Sequence, residues 1–165
     1  MATITLKGNP INTIGNLPEI GNKASDFSLK TVELATKSLA DFVGKNIILN
    51  IFPSVDTGTC ATSVREFNKK AAELENTVVL CISKDLPFAQ ARFCGAEGID
   101  NVIMLSDFAT GGFGKAYGLE IIDGPLVNLH SRAVIVLDEN GKVTYTEQVP
   151  DIVDEPNYEA ALKAI

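Results

Sequence analysis

The chain has 165 residues, 45% of them hydrophobic, which suffices for one sizeable core and predicts a single domain over residues 1–165. Its 14 basic and 21 acidic residues give a formal net charge of −7, which disfavours nucleic acid and anionic lipid as partners because both are polyanions. The first twenty residues contain no apolar run long enough for a signal peptide or a membrane span, which predicts a cytoplasmic protein.

Short strands and turns are expected at the start of the chain, where glycine and proline recur between Thr3 and Asn22. The apolar run Asn46–Phe52 has the length of a strand, and apolar residues recur at helical spacing from Ala61 to Leu74. The β-branched run Thr77–Ser83 predicts the next strand. The chain therefore begins with an N-terminal β extension and then alternates strand, helix and strand.

The second half continues this alternation and ends with a hairpin and a helix. A short helix is predicted at Leu86–Phe93 and a strand at Val102–Leu105. Two hairpin strands are predicted at Arg132–Leu137 and Lys142–Gln148, followed by a closing helix at Asn157–Ile165. The turn Asp138-Glu-Asn-Gly141 makes the last sheet edge antiparallel. This order predicts an α/β architecture of the thioredoxin-like kind, with a mixed central sheet flanked by helices.

Cys60 is the residue whose position points most directly to chemistry. The segment Pro53-Ser-Val-Asp-Thr57-Gly-Thr-Cys60 leaves the carboxyl end of an apolar strand and brings the cysteine into the first turn of a helix. Unpaired N–H groups and the helix dipole stabilise an anion there, which favours the reactive thiolate. Judged on Cys60 alone, an unreactive buried cysteine is an equally good interpretation.

Pro53 and Thr57 suit a peroxide pocket next to that sulfur. Pro53 has a fixed φ and no N–H group, so it can wall a pocket and shield the thiol. Thr57 carries a hydroxyl that can both donate and accept hydrogen bonds. Attack on a hydroperoxide needs donors beside the sulfur, which hold one oxygen and stabilise the other as it leaves.

The pattern P-x-x-x-T-x-x-C, present as Pro53, Thr57 and Cys60, resembles the active-site signature of peroxiredoxins. The blocks VVLCISKDLPFAQARFCGAEG and DGPL…SRAVIVLDENGKV extend the similarity, toward the atypical two-cysteine thiol peroxidase branch of bacteria, over nearly all of the chain. The resemblance implies a thioredoxin fold, a homodimer, and reduction of hydrogen peroxide and alkyl hydroperoxides at the expense of thioredoxin.

The resemblance also implies roles for individual residues. Cys60 matches the peroxidatic cysteine, Cys94 in RFCGAEG the resolving one, and Arg132 the arginine that supports the thiolate and holds the peroxide. Without the family resemblance, Arg132 is best interpreted as a surface cation and Cys94 as a buried structural thiol. An intramolecular Cys60–Cys94 disulfide is expected to form after local unwinding, because Cys94 ends a short helix beside Gly95. Cys81, in a strand expected to be buried on both faces, receives no catalytic role.

The other candidate groups fit no competing chemistry. His130 is the only histidine, and with no triad partners nearby it is interpreted as a loop residue without a role. The cysteines lack the C-x-x-C spacing of a metal site, and no cofactor is expected. The segment ATGGFGK contains Gly111, Gly112 and Gly114, but their spacing is not that of a phosphate-binding loop. These glycines indicate flexible or closely packed backbone.

Two other functions stay open on the sequence. A thioredoxin-like disulfide oxidoreductase shares the predicted fold, but it needs two thiols in C-x-x-C, whereas Cys60 and Cys94 lie far apart in the chain. A non-enzymatic binding module could also use the fold, and it would consume no peroxide.

Overall fold

A computed structural model describes all residues 1–165 in nine strands and four α-helices. The strands are β1 Thr3–Leu6, β2 Asn9–Asn12, β3 Ser28–Lys30, β4 Thr36–Ser38, β5 Asn46–Ile51, β6 Thr77–Ser83, β7 Ile103–Ser106, β8 Ala133–Leu137 and β9 Val143–Gln148. The helices are α1 Gly58–Ala71, α2 Pro87–Glu97, α3 Gly112–Ala116 and α4 Tyr158–Lys163, and a 3-10 turn spans Leu39–Phe42. None of the helices combines the length and the apolar character that crossing a membrane requires.

Seven of the strands form one mixed sheet in the order β4-β3-β7-β6-β5-β8-β9. The three inner strands β5, β6 and β7 are parallel, whereas β8 pairs antiparallel with both β5 and β9. The carboxylate of Asp138 fixes the turn between β8 and β9 by accepting the amide N–H groups of Asn140 and Lys142, both over 2.9 Å. The mixed sheet and the antiparallel edge predicted from the sequence are confirmed.

Apolar side chains fill both faces of this sheet. In β5, Ile47, Leu49 and Ile51 pack on one face, whereas Ile48 and the following Phe52 pack on the other. The first face is covered by the segment before β5 and by α3, the second by α1, α2 and α4. Because each fully buried aliphatic side chain contributes roughly 1.5–3 kcal/mol, β5 is firmly anchored where the chain leaves it toward Cys60.

The strands β1 and β2 form a separate hairpin, which confirms the predicted N-terminal β extension. Its turn is fastened to Asp151, whose carboxylate accepts the Thr5 hydroxyl over 2.7 Å and the amides of Gly8 and Lys7 over 2.9 and 3.1 Å. These hydrogen bonds, first that of Thr5 and then that of Gly8, lower the pKa of Asp151 to about 2. The two ends of the chain are thereby joined.

Helix α2 is longer than the sequence pattern predicts. It runs to Glu97 instead of ending near Phe93, and it terminates at Gly98, whose φ of 66° is the left-handed conformation in which many helices end. Cys94 therefore lies inside the last turn, where its carbonyl oxygen accepts the N–H groups of Gly98 and Ile99. The expectation that Cys94 ends the helix beside Gly95 is wrong by about one helical turn.

Candidate active site

Cys60 is the third residue of α1, directly after the loop that leaves strand β5. Thr57 is the N-cap residue with extended backbone, and the amides of the first helical turn have no acceptor within the helix. The cysteine is completely buried, in one apolar cluster with Phe52 and Val64. The predicted strand-to-helix position of the thiol is confirmed.

Arg132 is buried beside the sulfur of Cys60. It is only 1% exposed, so the interpretation as a surface cation is wrong. Its Nη2 donates to Cys60 Sγ over 3.2 Å, and its Nε donates to the Ile152 carbonyl oxygen over 2.8 Å. The remaining nitrogen, Nη1, is buried and has no hydrogen-bond partner. A guanidinium placed in this way can support an anionic sulfur and still donate to an oxygen of a bound molecule.

Strand pairing brings Arg132 to the cysteine. Arg132 directly precedes β8, which is antiparallel to β5, and the first register pair is Ala133 with Ile51. The Arg132 carbonyl oxygen accepts the side-chain amide of Gln148 and the backbone N–H of Val149, both over 3.0 Å. The arginine and the loop that carries Cys60 therefore meet at one edge of the sheet.

The loop between β5 and α1 is held in shape by its own hydrogen bonds and by Asp85. The Ser54 carbonyl oxygen accepts both the amide and the hydroxyl of Thr57, each over 3.2 Å. The Ser54 hydroxyl donates to Asp85 Oδ1 over 2.7 Å, and the Val55 amide donates to Oδ2 over 2.8 Å. Asp85 was not identified from the sequence. Its position after β6 was a usable signal, because the carboxyl ends of the parallel neighbours β5 and β6 meet at one edge of the sheet.

A cleft of about 420 Å³ opens at this edge. Pro53, Thr57 and Arg132 line it, so the structure brings these predicted site residues together around the buried Cys60. The rest of the wall is mainly apolar and comes from the N-terminal hairpin, the segment before β8 and the segment after β9, with Leu6, Leu126, Leu129, Ile152 and Val153. The cleft thus combines polar groups near the sulfur with an apolar rim.

Cys94 is the one predicted site residue that lies elsewhere. It is half-buried in α2 and lines a different hollow, next to Ala91 and Val102, that shares no residue with the Cys60 cleft. All three cysteines are free thiols, and burial raises the pKa of Cys94. The structure therefore shows the reduced protein, with Cys60 and Cys94 unbonded on different helices and packed against the same apolar cluster.

Cys81 lies in the middle of the central strand β6 and is fully buried, as expected. Burial raises the pKa of Cys81 to about 12, and the side-chain amide of Asn50 lies 3.7 Å from its sulfur. A thiol with such a pKa stays protonated at neutral pH and is a poor nucleophile.

Two ion pairs connect the region of Cys60 to the helix of Cys94. Arg65 in α1 holds Glu97 of α2 through two hydrogen bonds of 2.9 Å, and Arg92 of α2 holds Asp56 of the loop over 2.9 Å. The hydrogen bond from Arg65 lowers the pKa of the Glu97 carboxyl. Both pairs are partly exposed, so α2 is fastened by contacts that water can replace.

His130 differs from the loop histidine that the sequence suggests. It is completely buried, and its Nε2 lies 2.9 Å from Oδ2 of Asp107, which also accepts the amide of Gly114 over 3.0 Å. A Cβ atom added to Gly114 would lie 2.8 Å from the His130 ring, so close packing accounts for that glycine. The pair is part of the interior, and no cluster of three or more His, Cys, Asp or Glu residues suited to a metal ion occurs in the structure.

Comparisons with known proteins point in one direction. The family model described as Redoxin matches residues 19–162. The chain is 55% identical over 165 residues to the thiol peroxidases of Mycobacterium bovis and Mycobacterium tuberculosis, covering 100% of this chain and 99% of each relative. A crystal structure of a peroxiredoxin-like protein from Aquifex aeolicus superposes with a TM-score of 0.93 at 38% identity, over 99% of this chain and 96% of that one. The thiol peroxidase from Chromobacterium violaceum, at 24% identity and a TM-score of 0.90, shares the fold over 98% of this chain and 93% of its own.

Proposed function

The chain belongs to the redoxin family and is a thiol-dependent peroxidase, and on that premise we propose that Cys60 is the cysteine that attacks the peroxide. The family and the activity implied by the sequence resemblance are thereby confirmed, whereas the two alternative functions are not. The observation that carries the assignment of Cys60 is the 3.2 Å contact from Arg132 Nη2 to its sulfur at a helix start. A cation and unpaired amides beside a sulfur can stabilise the negative charge of an attacking nucleophile.

The proposed first step is a displacement at oxygen. The Cys60 thiolate attacks the terminal oxygen of the hydroperoxide, a sulfur–oxygen bond forms, and the oxygen–oxygen bond breaks. Cys60 is oxidised to a sulfenic acid, and the peroxide is reduced to an alkoxide or hydroxide, which takes up a proton and leaves as alcohol or water. No cofactor is required for this balance.

Arg132 and Thr57 are proposed to hold the peroxide during that step. The unpaired Nη1 of Arg132 is a donor without a protein acceptor. Thr57 lines the same cleft, and because its hydroxyl donates to the Ser54 carbonyl oxygen, its own oxygen can accept the O–H of the hydroperoxide. Donors aimed at the reacting oxygens stabilise the charge that develops as the bond breaks. Pro53 offers no N–H group of its own, which suits a wall that shields the thiol from water.

The apolar rim of the cleft supports alkyl hydroperoxides as substrates beside hydrogen peroxide. Leu126, Leu129 and Ile152 can contact an alkyl group, while the polar groups receive the two peroxide oxygens. Burial of such a group contributes about 0.8 kcal/mol for each CH₂ removed from water.

Cys94 is proposed to resolve the sulfenic acid within the same chain. Its sulfur attacks the Cys60 sulfur, a disulfide forms, and the sulfenic oxygen leaves as water. A disulfide needs Cα atoms within roughly 7 Å, and the two thiols are unbonded and held on different helices in the reduced protein. Local unwinding of α2, with or without the first turn of α1, must therefore precede the bond.

Thioredoxin is the proposed reductant of that disulfide, and the cytoplasm the proposed location. Both proposals rest on the family relationship. The disulfide formed with Cys94 would accept two electrons from the reductant and return both cysteines to the state seen here.

A homodimer is also proposed. The apolar residues Leu86, Phe88 and Phe108 are exposed after the carboxyl ends of β6 and β7, at the edge of the sheet where Cys60 lies. Large apolar side chains exposed in this part of the molecule support a protein contact there. The bonds of Asp151 to the N-terminal hairpin support the proposal that residues 1–165 act as one domain.

The proposal is tested by following hydroperoxide in a stopped-flow instrument, with and without the thioredoxin system, beside an insulin-reduction assay. We expect rapid consumption of cumene hydroperoxide, turnover only with thioredoxin, and little insulin reduction. Peptide mapping after one equivalent of peroxide should show a Cys60–Cys94 disulfide within one chain. A bond from Cys60 to Cys81, or to a second subunit, would overturn the resolution scheme.

A further inference from the structure

We propose that Asp85 is a positioning residue for peroxide reduction, acting through Ser54 on the hydroxyl of Thr57. The inference rests on the proposed function of Cys60 and Thr57 and adds a residue outside the cleft. Asp85 neither lines the cleft nor contacts Cys60 or Arg132.

Three donors converge on the Asp85 carboxylate. The Ser54 hydroxyl donates to Oδ1 over 2.7 Å, and the Val55 amide and the Ser83 hydroxyl donate to Oδ2 over 2.8 and 2.6 Å. Hydrogen bonds to an ionised carboxylate are roughly twice as strong as those between neutral groups. Asp85 therefore ties the loop before α1 to the end of β6.

Asp85 is itself held from the sheet side. Its amide donates to the Ser83 hydroxyl oxygen over 3.3 Å, and its carbonyl oxygen accepts the hydroxyl of Ser106. Ser83 and Ser106 are opposite each other on the adjacent strands β6 and β7. The carboxylate is thus fixed to two strands and can serve as a reference point for the loop.

The effect reaches the cleft through Ser54. The Ser54 carbonyl oxygen accepts both the amide and the hydroxyl of Thr57, and the Ser54 hydroxyl oxygen accepts the amide of Asp56 over 3.1 Å. Moving Ser54 therefore moves Thr57, which lines the cleft and whose hydroxyl donates its proton to Ser54, leaving the oxygen as an acceptor. A displacement of about 1 Å at a group that positions the substrate can cost about a hundredfold in rate.

Thiolate reactivity and peroxide orientation are separable readouts. We expect Cys60 to keep its contact with Arg132 when Asp85 is changed, because no hydrogen bond of Asp85 reaches either residue. Alkylation of Cys60 by iodoacetamide needs the thiolate but no donor for a peroxide oxygen. A positioning role should slow the peroxide reaction and spare alkylation, whereas a merely structural role should not separate the two rates.

The experiment measures both rates at Cys60 by quench-flow and mass spectrometry in Asp85→Ala, Asp85→Asn, Ser54→Ala and the wild type. Asp85→Ala should slow reaction with cumene hydroperoxide about ten- to a hundredfold, with alkylation changed by less than about twofold. Asp85→Asn should recover most of the loss, because its oxygen can accept the Val55 amide and its NH₂ group can donate to Ser54. Glu73→Gln, which removes one charge from a side chain without hydrogen bonds, is the matched control and should change neither rate.

Equal slowing of both reactions, or no slowing of either, would overturn the role of Asp85. Should Asp85→Ala fail to fold, Ser54→Ala decides the matter, since it leaves Asp85 in place, removes the Oδ1 bond and the acceptor of the Asp56 amide, and should still lower the ratio of peroxide to alkylation rate. An unchanged ratio in a folded Ser54→Ala protein would also overturn it. Cys60→Ser separates this inference from its premise, because residual peroxidase activity in that variant would refute the proposed function itself.

Discussion

Cys60 and Cys94 carry the same thiol on neighbouring helices, yet the protein holds them in opposite ways. Cys60 is completely buried and in contact with a buried guanidinium, next to a loop fixed by Asp85. Cys94 is half-buried near the end of α2, a helix fastened at its surface by the ion pairs of Arg92 and Glu97. Cys60 is therefore held by buried contacts, whereas the helix of Cys94 is held in part by exposed ion pairs.

The difference teaches how one chain can separate two steps of a redox cycle. Attack on a peroxide needs donors in fixed positions, whereas capture of the sulfenic acid needs a thiol that can travel. Burial raises the pKa of Cys94, which lowers the thiolate fraction of this cysteine in the folded protein. Each of the following experiments tests one side of this comparison.

The largest effect on peroxidase activity is expected when either Cys60 or Cys94 is replaced by serine. Cys60→Ser should reduce peroxide consumption to the uncatalysed background. Cys94→Ser should still react once with peroxide at a rate close to that of the wild type, but it should lose thioredoxin-dependent turnover. Single-turnover and steady-state assays on the two variants measure both, and equal defects in the first turnover would remove the distinction between the two sites.

The next effect concerns the guanidinium at Cys60. Arg132→Ala should lower the rate of peroxide reduction about 10²- to 10³-fold, because it removes the donor beside the reacting sulfur. Arg132→Lys keeps the charge but not the forked geometry, and it should recover only part of the loss. The measurement is the second-order rate constant of the first turnover in folded protein. Rates near those of the wild type in Arg132→Ala would contradict the assignment.

A third effect concerns the pH dependence of Cys94. Because burial raises its pKa in the folded protein, alkylation of Cys94 should be slower than in urea-unfolded chain at pH 7 to 8 and should accelerate only at higher pH. The thiolate fraction falls about tenfold for each pH unit below the pKa. Peptide-resolved alkylation of Cys60→Ser measures this, with Cys81 as an internal reference that should react still more slowly. Identical folded and unfolded pH profiles would show that burial does not restrain Cys94.

The smallest effect is expected from the ion pair of α2. Glu97→Gln removes the partner of Arg65 and should accelerate formation of the Cys60–Cys94 disulfide by less than about fivefold, as exposed ion pairs are weak. Added salt should shift the wild type in the same direction. The disulfide is followed by quenched mass spectrometry, with Glu73→Gln as the control of equal charge. Slower disulfide formation in Glu97→Gln would mean that the pair favours unwinding rather than restraining it.

Local sequence patterns predicted those helices and strands that have a clear apolar periodicity or characteristic turn residues. The strand β5, the helix after it and the β8–β9 hairpin all follow from apolar period and turn residues, and each is confirmed. The strands β3 and β4 and the helix α3 have three to five residues, too few for a period to be visible. The end of α2 was misplaced because Gly95 looked like a terminus, whereas Gly98 adopts the left-handed conformation.

The candidate site could be predicted only in part, because several of its contacts join residues that are distant in the sequence. Pro53, Thr57 and Cys60 lie within eight positions and can be recognised as a motif. The burial of Arg132, the support from Asp85 and the pair of Asp107 with His130 depend on partners that are remote in sequence. Strand order decides those contacts, and no local pattern contains the strand order.

The fastening of the N-terminal hairpin by Asp151 has a consequence for synthesis on the ribosome. Thr5 and Asp151 are 146 positions apart, and Arg132 depends on the carbonyl oxygen of Ile152. Since chains emerge from the N-terminus and fold in units as they appear, Cys60 leaves the ribosome long before these partners exist. A nascent or prematurely terminated chain therefore carries the thiol without the completed cleft. On the proposed role of Cys60, we expect its full reactivity toward peroxide only after residues as far as Ile152 have been synthesised.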